Sequence, residues 1–459
     1  MSQGLLVNLV LMIGVAAFAL LTNASLTMAV ATAGGLALCV GAARRLEDLP
    51  KVGLFVVTAL VPLSYLSTLV AVGSLNTFTK LIFIPAFAVL ALEWLLVRRR
   101  LVLGWPAFFV SLFALTLMLS YLVNEHTPNS SWFLSRFVSM MLLFFLCANV
   151  LRSERDLGIL MVVVAGSCLV SAAGAMIMRP HFSNGMVGGA MRLTGWAYED
   201  APTFGTHVLV ALLISLYFLF VTRQPRLRLA LVPAIGLLMM AIVLTYARGI
   251  SMVMAVSVAF LLFKLRRRVA LGGVLVSIFL LAICLLPLVP SAYWDRMTTM
   301  VTQVGVDPTM NRRFDSYRIG LQLFGQNPLL GFGPGNFVAQ YMSPEFRFDR
   351  SGIPSVCFNL YLSIATQAGL LGLAAFGMIV LGVFRELWFV ARSYGETDGF
   401  LKKAGEVLEI VLVAILLVSL FEPTDLQKYL WIVFGAAVAA GQIRRAQLAS
   451  PALAPAEAV

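Results

Sequence analysis

Apolar residues in this chain come in long unbroken runs rather than in the apolar-polar alternation that marks strands. The runs fall at 4–22, 24–43, 52–72, 81–97, 103–123, 133–151, 157–178, 203–222, 229–247, 250–264, 269–290, 357–384, 405–421 and 428–442. Most are long enough to cross a hydrocarbon layer as helices, and only helices or closed barrels satisfy their backbone there. A barrel would need period-two alternation, which is missing. The pattern therefore predicts an all-α polytopic membrane protein with about 12–14 transmembrane helices. Its expected divisions are a helical region with short loops over 1–290, a large periplasmic loop carrying short helices over 291–356, and C-terminal transmembrane helices over 357–442. The Ala/Pro-rich 443–459 segment reads as a disordered cytoplasmic tail.

Inside the polar stretch, Phe314, Tyr317, Leu321 and Phe324 recur at helical spacing, which predicts a helix lying along the membrane surface with those residues as its apolar side. Asn327-Pro328 should end it, because a residue before proline is pushed out of helical geometry. Gly331, Gly333, Pro334 and Gly335 follow, a backbone able to turn sharply or to approach a ligand. This turn lacks the Gly-Lys-Ser/Thr ending of a phosphate-binding P-loop, so a nucleotide-triphosphatase is not expected.

Composition sharpens the class. The chain has 459 residues, 60% of them hydrophobic and 12% charged, with a mean hydropathy of +0.94, which no soluble exterior tolerates. The formal net charge of +12 would suit a nucleic-acid partner in a soluble protein. Here it recurs as clusters in every second loop, at Arg44/Arg45, Arg98 to Arg100, Arg152/Arg155, Arg223/Arg226/Arg228, Lys264 to Arg268, Arg385 to Lys403 and Arg444/Arg445. The positive-inside rule makes those loops and both termini cytoplasmic, and no nucleic-acid partner is expected. The five cysteines have no paired spacing and the three histidines are scattered, so neither a metal site nor a Ser-His-Asp arrangement is expected.

Charge on the opposite, outer side needs its own explanation. Arg136 stands about one turn inside a span, Arg192 in the 179–202 loop, Arg248 in a tight turn between two apolar runs, and Arg313 and Arg318 in the large loop. Arg296, Arg312, Arg347 and Arg350 are further members of that loop. Each alone has a bland reading as a snorkelling or solvated charge. Together they are arginines from four separated segments, and a planar guanidinium grips phosphate oxygens through two parallel hydrogen bonds. A lipid-linked diphosphate at the membrane surface is the ligand that suits such a set. Glu199, Asp200, Asp315, Glu345, Asp349, Glu422 and Asp425 are candidates to take a proton from a sugar hydroxyl, with Glu422 foremost at the end of an apolar run before Pro423.

These pieces resemble the O-antigen ligase and Wzy-type polysaccharide polymerase superfamily. The family's Gly-rich turn hPLLGxGxGxF is matched by Asn327-Pro328-Leu329-Leu330-Gly331-Phe332-Gly333-Pro334-Gly335-Asn336-Phe337. Its upstream arginine and glycine resemble Arg192, Gly195 and the Pro202 region, and its arginine-glycine turn resembles Ala247-Arg248-Gly249. Its "HNLYL…GLLGL" helix start resembles Phe358-Asn359-Leu360-Tyr361-Leu362 and Gly369 to Leu373, with Phe358 in place of the histidine.

The resemblance implies a membrane-embedded glycosyltransferase of the bacterial inner membrane, with a periplasmic active site and no cofactor. The reaction it implies is inverting, metal-independent transfer from an oligosaccharide on undecaprenyl diphosphate. Arg192, Arg248 and Arg313 would hold the diphosphate and Glu422 would assist as base. Arg136, Arg318, Gly333, Gly335, Asn359, Trp196 and Tyr198 would bind substrate. Its partners would be lipid-linked donor and acceptor, the bilayer, a chain-length regulator and a flippase. Phe358 argues for a polymerase of O-antigen, capsule or exopolysaccharide units, since the histidine is thought to activate the acceptor in ligases. The alternatives are a ligase transferring glycan to lipid A core or protein, and a transporter or flippase, which would place charged or broken helices near the bilayer midplane.

Overall fold

The computed structural model describes residues 49–63, 104–178, 183–187, 190–195, 200–266, 287, 289–302, 308–347, 353–395 and 399–449. The expected spans 4–22, 24–43 and 81–97, most of 269–290, and the candidates Trp196, Tyr198, Glu199, Asp349 and Arg350 lie outside these residues. In chain order the described elements are α1 (Leu49–Leu60), α2 (Trp105–Val123), α3 (Pro128–Val150), α4 (Glu154–Ile177), strands β1 (Ser183–Val187) and β2 (Ala190–Leu193), α5 (Ala201–Val221), α6 (Pro225–Leu244) and α7 (Arg248–Leu265). They continue with α8 (Ser291–Thr302), α9 (Pro308–Gln326), α10 (Phe337–Tyr341), α11 (Leu360–Ser393), α12 (Phe400–Val418) and α13 (Lys428–Ala449).

The protein is an all-α polytopic membrane protein, with one short antiparallel hairpin, β1–β2, in the described residues. Seven described helices, α2 to α7 and α11, are long and apolar enough to span a membrane. The expected spans 405–421 and 428–442 also fold as long helices, α12 and α13, but carry more charge. Those charges are matched: Tyr217 Oη donates to Glu406 at 2.6 Å and Lys264 pairs with Glu409 at 2.7 Å. α13 also runs to Ala449, past the expected start of a disordered tail at 443. Its last turns are held because Arg445 donates twice to Glu386 on α11 and Arg444 donates to the Ser393 side chain and carbonyl.

α5 is enclosed by α4, α6, α7 and α12, while α11 packs on α2, α9, α12 and α13. Between α2, α3, α11 and α13 the core is aromatic. Phe137 meets Phe113 edge-on at 5.0 Å and Trp431 edge-on at 5.4 Å, and Trp431 meets Phe434 at 5.8 Å. Such pairs add about 0.5–1.5 kcal/mol each beyond the area they bury.

α11 is broken. Gly369 has φ +65° and ψ −162°, which splits it into two helices and frees backbone groups around the break. In lipid those groups need partners. The Gly-rich turn supplies them: Leu370 N donates to Pro328 O at 2.7 Å, Phe332 N to Thr366 O at 2.8 Å and Gly333 N to Gln367 O at 3.2 Å. Ser120 Oγ of α2 reaches both Leu330 O and Gln367 O, and Asn124 Nδ2 reaches Gly331 O. A side chain at Gly369 would lie 2.1 Å from Leu329 O, and one at Gly331 2.5 Å from Thr366 O. The two motif halves quoted from the sequence are therefore the two sides of one joint.

α9 forms where expected, with part of its large apolar stripe outward and a face of small and medium residues packed on the protein. Phe314 and Leu321 are exposed, whereas Ser316, Ile319, Gly320 and Leu323 are buried. A Cβ on Gly320 would sit 2.8 Å from Leu362, so closeness to α11 selects small and medium residues for the packed side. The large apolar residues face outward, as a helix at a membrane interface requires.

Candidate functional site

Seven separated stretches of the chain line a cavity of about 460 Å³, and four of them carry most of its chemistry. The α6–α7 link, only Thr245-Tyr246-Ala247, supplies the first. Thr245 Oγ1 donates to Ile242 O and accepts from Ala247 N, and Tyr246 turns the chain with φ +51°. A non-glycine residue in that region is held at a cost of about 1–2 kcal/mol. The turn leaves carbonyls that no helix uses, and arginines take them: Arg192 Nε donates to Thr245 O at 3.1 Å and Arg296 Nε to Tyr246 O at 3.3 Å. Arg248 opens α7, so its side chain and the first N–H groups of that helix border the same space.

The second segment is the hairpin, whose β2 strand carries Arg192 into the cavity wall. Gly188-Gly189 between two short runs was a readable hairpin signal, which helix-based reasoning passed over. The third is α9, which brings Arg312, Arg313 and Tyr317. The fourth is the α12–α13 link, with Phe421 and Glu422. Arg313 joins these last two: Nη1 donates to Phe421 O and Nη2 to Glu422 Oε1 at 2.5 Å. Tyr317 Oη sits 3.1 Å from Phe358 O and 3.2 Å from Leu420 O, and Leu360 N donates to Ser419 O at 2.8 Å, lacing the start of α11 to the Glu422 loop. The Phe358 ring lies under two guanidinium groups, Arg313 at 4.6 Å and Arg312 at 5.3 Å.

Five arginines, 192, 248, 296, 312 and 313, line this space against two carboxylates, Asp200 and Glu422. Burial lowers the pKa of Arg192, which feels the opposing attraction of Asp200 and Glu422 and the repulsion of Arg313 and Arg248. Glu422 is 5% exposed. Burial pushes its carboxyl up to about 7 against the pull of Arg313. Asp425, deeper in the same loop and away from the cavity lining, is pushed up to about 6 by burial.

Of the residues expected to bind or react, Arg192, Arg248, Arg313 and Glu422 line the cavity. The others do not. Arg136 stacks over Trp132 at 4.0 Å, and Arg318 is exposed on α9. Gly333 and Gly335 belong to the joint with α11, where Gly335 N donates to Gln367 Oε1. Asn359 caps α11 by accepting from Leu362 N at 2.9 Å and donates to Leu420 O. Tyr246 and Phe421 were not anticipated from sequence; they act through backbone carbonyls, which side-chain patterns do not mark. Among the described residues no group of three or more His, Cys, Asp or Glu side chains is placed to hold a metal ion.

No curated protein matches the chain. Residues 233–377 match the family model described as O-antigen ligase, and that stretch, which holds Arg248, Arg296, Arg312, Arg313, the Gly-rich turn and the break in α11, is similar to that family.

Proposed function

We propose that this protein is a membrane glycosyltransferase that polymerises oligosaccharide repeat units carried on undecaprenyl diphosphate. The observation that carries the proposal is the meeting of Arg192, Arg248 and Arg313, from three separated segments, with Glu422 around one cavity. As the bond from the anomeric carbon to the diphosphate oxygen breaks, its electron pair passes to the leaving group. Guanidinium groups and the α7 N-terminus stabilise that growing charge, the contribution that is usually largest in such transfers. The acceptor hydroxyl attacks the opposite face of the anomeric carbon and inverts it, and its proton goes to ionised Glu422.

The cavity lies at the end of α6, α7, α11, α12 and α13 opposite the basic clusters Arg223/Arg226/Arg228, Lys264, Arg385 to Arg392, Lys402/Lys403 and Arg444/Arg445. With those clusters cytoplasmic, the reaction is periplasmic. Ligation of a finished glycan to another acceptor is the second reading, favoured by the description of the matched family. Phe358 favours polymerisation, since the family resemblance puts an acceptor-activating histidine there in ligases. A transporter would use a broken helix to line its site. Here the break in α11 is filled by the Pro328 to Gly333 turn, outside the cavity.

Deleting the gene and running the glycans on a gel tests the assignment. Accumulated single repeat units are expected; unattached polymer would mean ligase, and unchanged glycan would reject both. Complementation with Arg248→Ala should restore the ladder at no more than about 1% of the wild-type rate, the loss typical of a missing charge-stabilising donor. If Arg192→Ala, Arg248→Ala and Arg313→Ala all restored full ladders, the diphosphate clamp would be wrong.

A further inference from the structure

The arginines of the cavity keep different company. Arg192 and Arg296 are tied through Nε to the carbonyls of the α6–α7 turn, beside Arg248, and Arg313 is matched by Glu422. Arg312 has no carboxylate partner among the described residues. Its guanidinium stands over the Phe358 ring at 5.3 Å, and its Nε is buried without a hydrogen-bond partner. An unmade hydrogen bond on a permanently charged, buried donor is among the costlier features a fold can carry. Such a donor points to an anion that arrives with the substrate.

Phe358 gives Arg312 an aromatic neighbour rather than a hydrogen-bond acceptor, so the N–H edge of that guanidinium is left as a donor, whereas Arg313 spends its Nη groups on Phe421 O and Glu422. An in-plane edge pairs best with a planar, two-oxygen anion, the geometry of a carboxylate. The turn group and the α7 N-terminus already offer three cations and free-standing dipoles to a diphosphate, so Arg312 is surplus to it.

Resting on the glycosyl-transfer reading, we infer that the saccharide handled in this cavity is acidic, with a uronate-type carboxylate held by Arg312 over the Phe358 ring. The hydrophobic ring beneath the pair excludes water from one side and strengthens the contact. Phe358 is then the positioning residue of an acidic-sugar subsite, standing where the ligases of the resembling family place histidine.

The test measures binding to the purified full chain in lipid nanodiscs. The probes are two synthetic polyprenyl diphosphate disaccharides that differ only in a terminal glucose or glucuronic acid, with sugar-free polyprenyl diphosphate as control. Wild type is expected to bind the glucuronate probe at least about 10-fold more tightly than the glucose probe, the ratio that one added charge-assisted contact supports. In Arg312→Gln that ratio should fall to about one, while Arg312→Lys, which keeps the charge and loses the fork, should hold an intermediate ratio. Phe358→Leu should lower the ratio and Phe358→Trp should retain it. Equal affinity for the two probes in wild type would overturn the inference and leave the transfer reading standing. So would an equal weakening of both probes by Arg312→Gln, which would make Arg312 a diphosphate ligand. No binding of the sugar-free control would overturn the diphosphate reading and this inference with it.

Discussion

At Glu422 the same burial sets both reactivity and stability. Only the ionised carboxylate can take a proton, so transfer should rise with pH through about 7, the value to which burial lifts this group. Arg313 draws that value down, so Arg313→Gln should move the rising limb to higher pH, measurable as the midpoint of a pH-rate profile. Glu422→Gln should cost roughly 10²–10⁴-fold in rate, the range for a general base. Stability runs the other way. A carboxyl whose folded pKa lies above its ordinary 4.5 holds its proton more tightly when folded. Its contribution is therefore full below about 4.5 and lost as pH rises through about 7. Melting curves in detergent at pH 5 and pH 8 should thus converge more closely for Glu422→Gln than for wild type. Glu422, Arg192, Arg248 and Arg313 were legible because a charge beside an apolar run needs a reason. The partners that orient them, the carbonyls of Thr245, Tyr246 and Phe421, carry no such mark.

Among the elements, α11 and the turn that mends it form the joint on which the site stands. Its first half ends at Gly369 and its start is laced to the Glu422 loop, so a shift at the break would be felt at Phe358 and Arg313. Gly369→Ala forces a side chain into left-handed backbone and against Leu329 O, with about 1–2 kcal/mol of conformational cost and a further 1–3 kcal/mol of overpacking. A clearly lower melting temperature is expected in scanning fluorimetry, with Gly377→Ala, where nothing lies within 4 Å, as the unaffected comparison. Periodicity placed α9 and its outward apolar side, but not the packed side built from Ser316, Ile319, Gly320 and Leu323, because small residues such as Ser316 and Gly320 carry no hydrophobic signal. The break escaped notice since Gly369-Leu370-Leu371-Gly372 is as apolar as its flanks. Pairing of the two motif halves is a tertiary fact, and neither half announces the other.

For the whole molecule, polarity along the helices ties topology to chemistry. Helix directions put the arginine cavity at one end of the bundle and the paired basic residues Arg444 and Arg445, with Ser393 and Glu386, at the other. Spans among the described residues were readable from hydropathy alone, and the alternating basic loops predict their direction; which loops share a cavity required the fold. The two ends can be told apart in intact cells once Cys39 and Cys284, outside the described residues, are replaced by serine, because the described Cys147, Cys168 and Cys357 are buried and should give little background with a thiol reagent. Gln322→Cys, exposed on α9, should be labelled by a membrane-impermeant maleimide added to spheroplasts, and Leu448→Cys, exposed near the end of α13, only after the membrane is opened. Burial pushes the Cys357 thiol up to about 12, which keeps it out of the reactive thiolate form and further lowers the background in this assay. The reverse pattern would place the cavity on the cytoplasmic side, and polymerisation outside the cell membrane would have to be abandoned. Labelling of both positions from outside would instead give the C-terminal helix a different path, because α12 and α13 could then no longer both span.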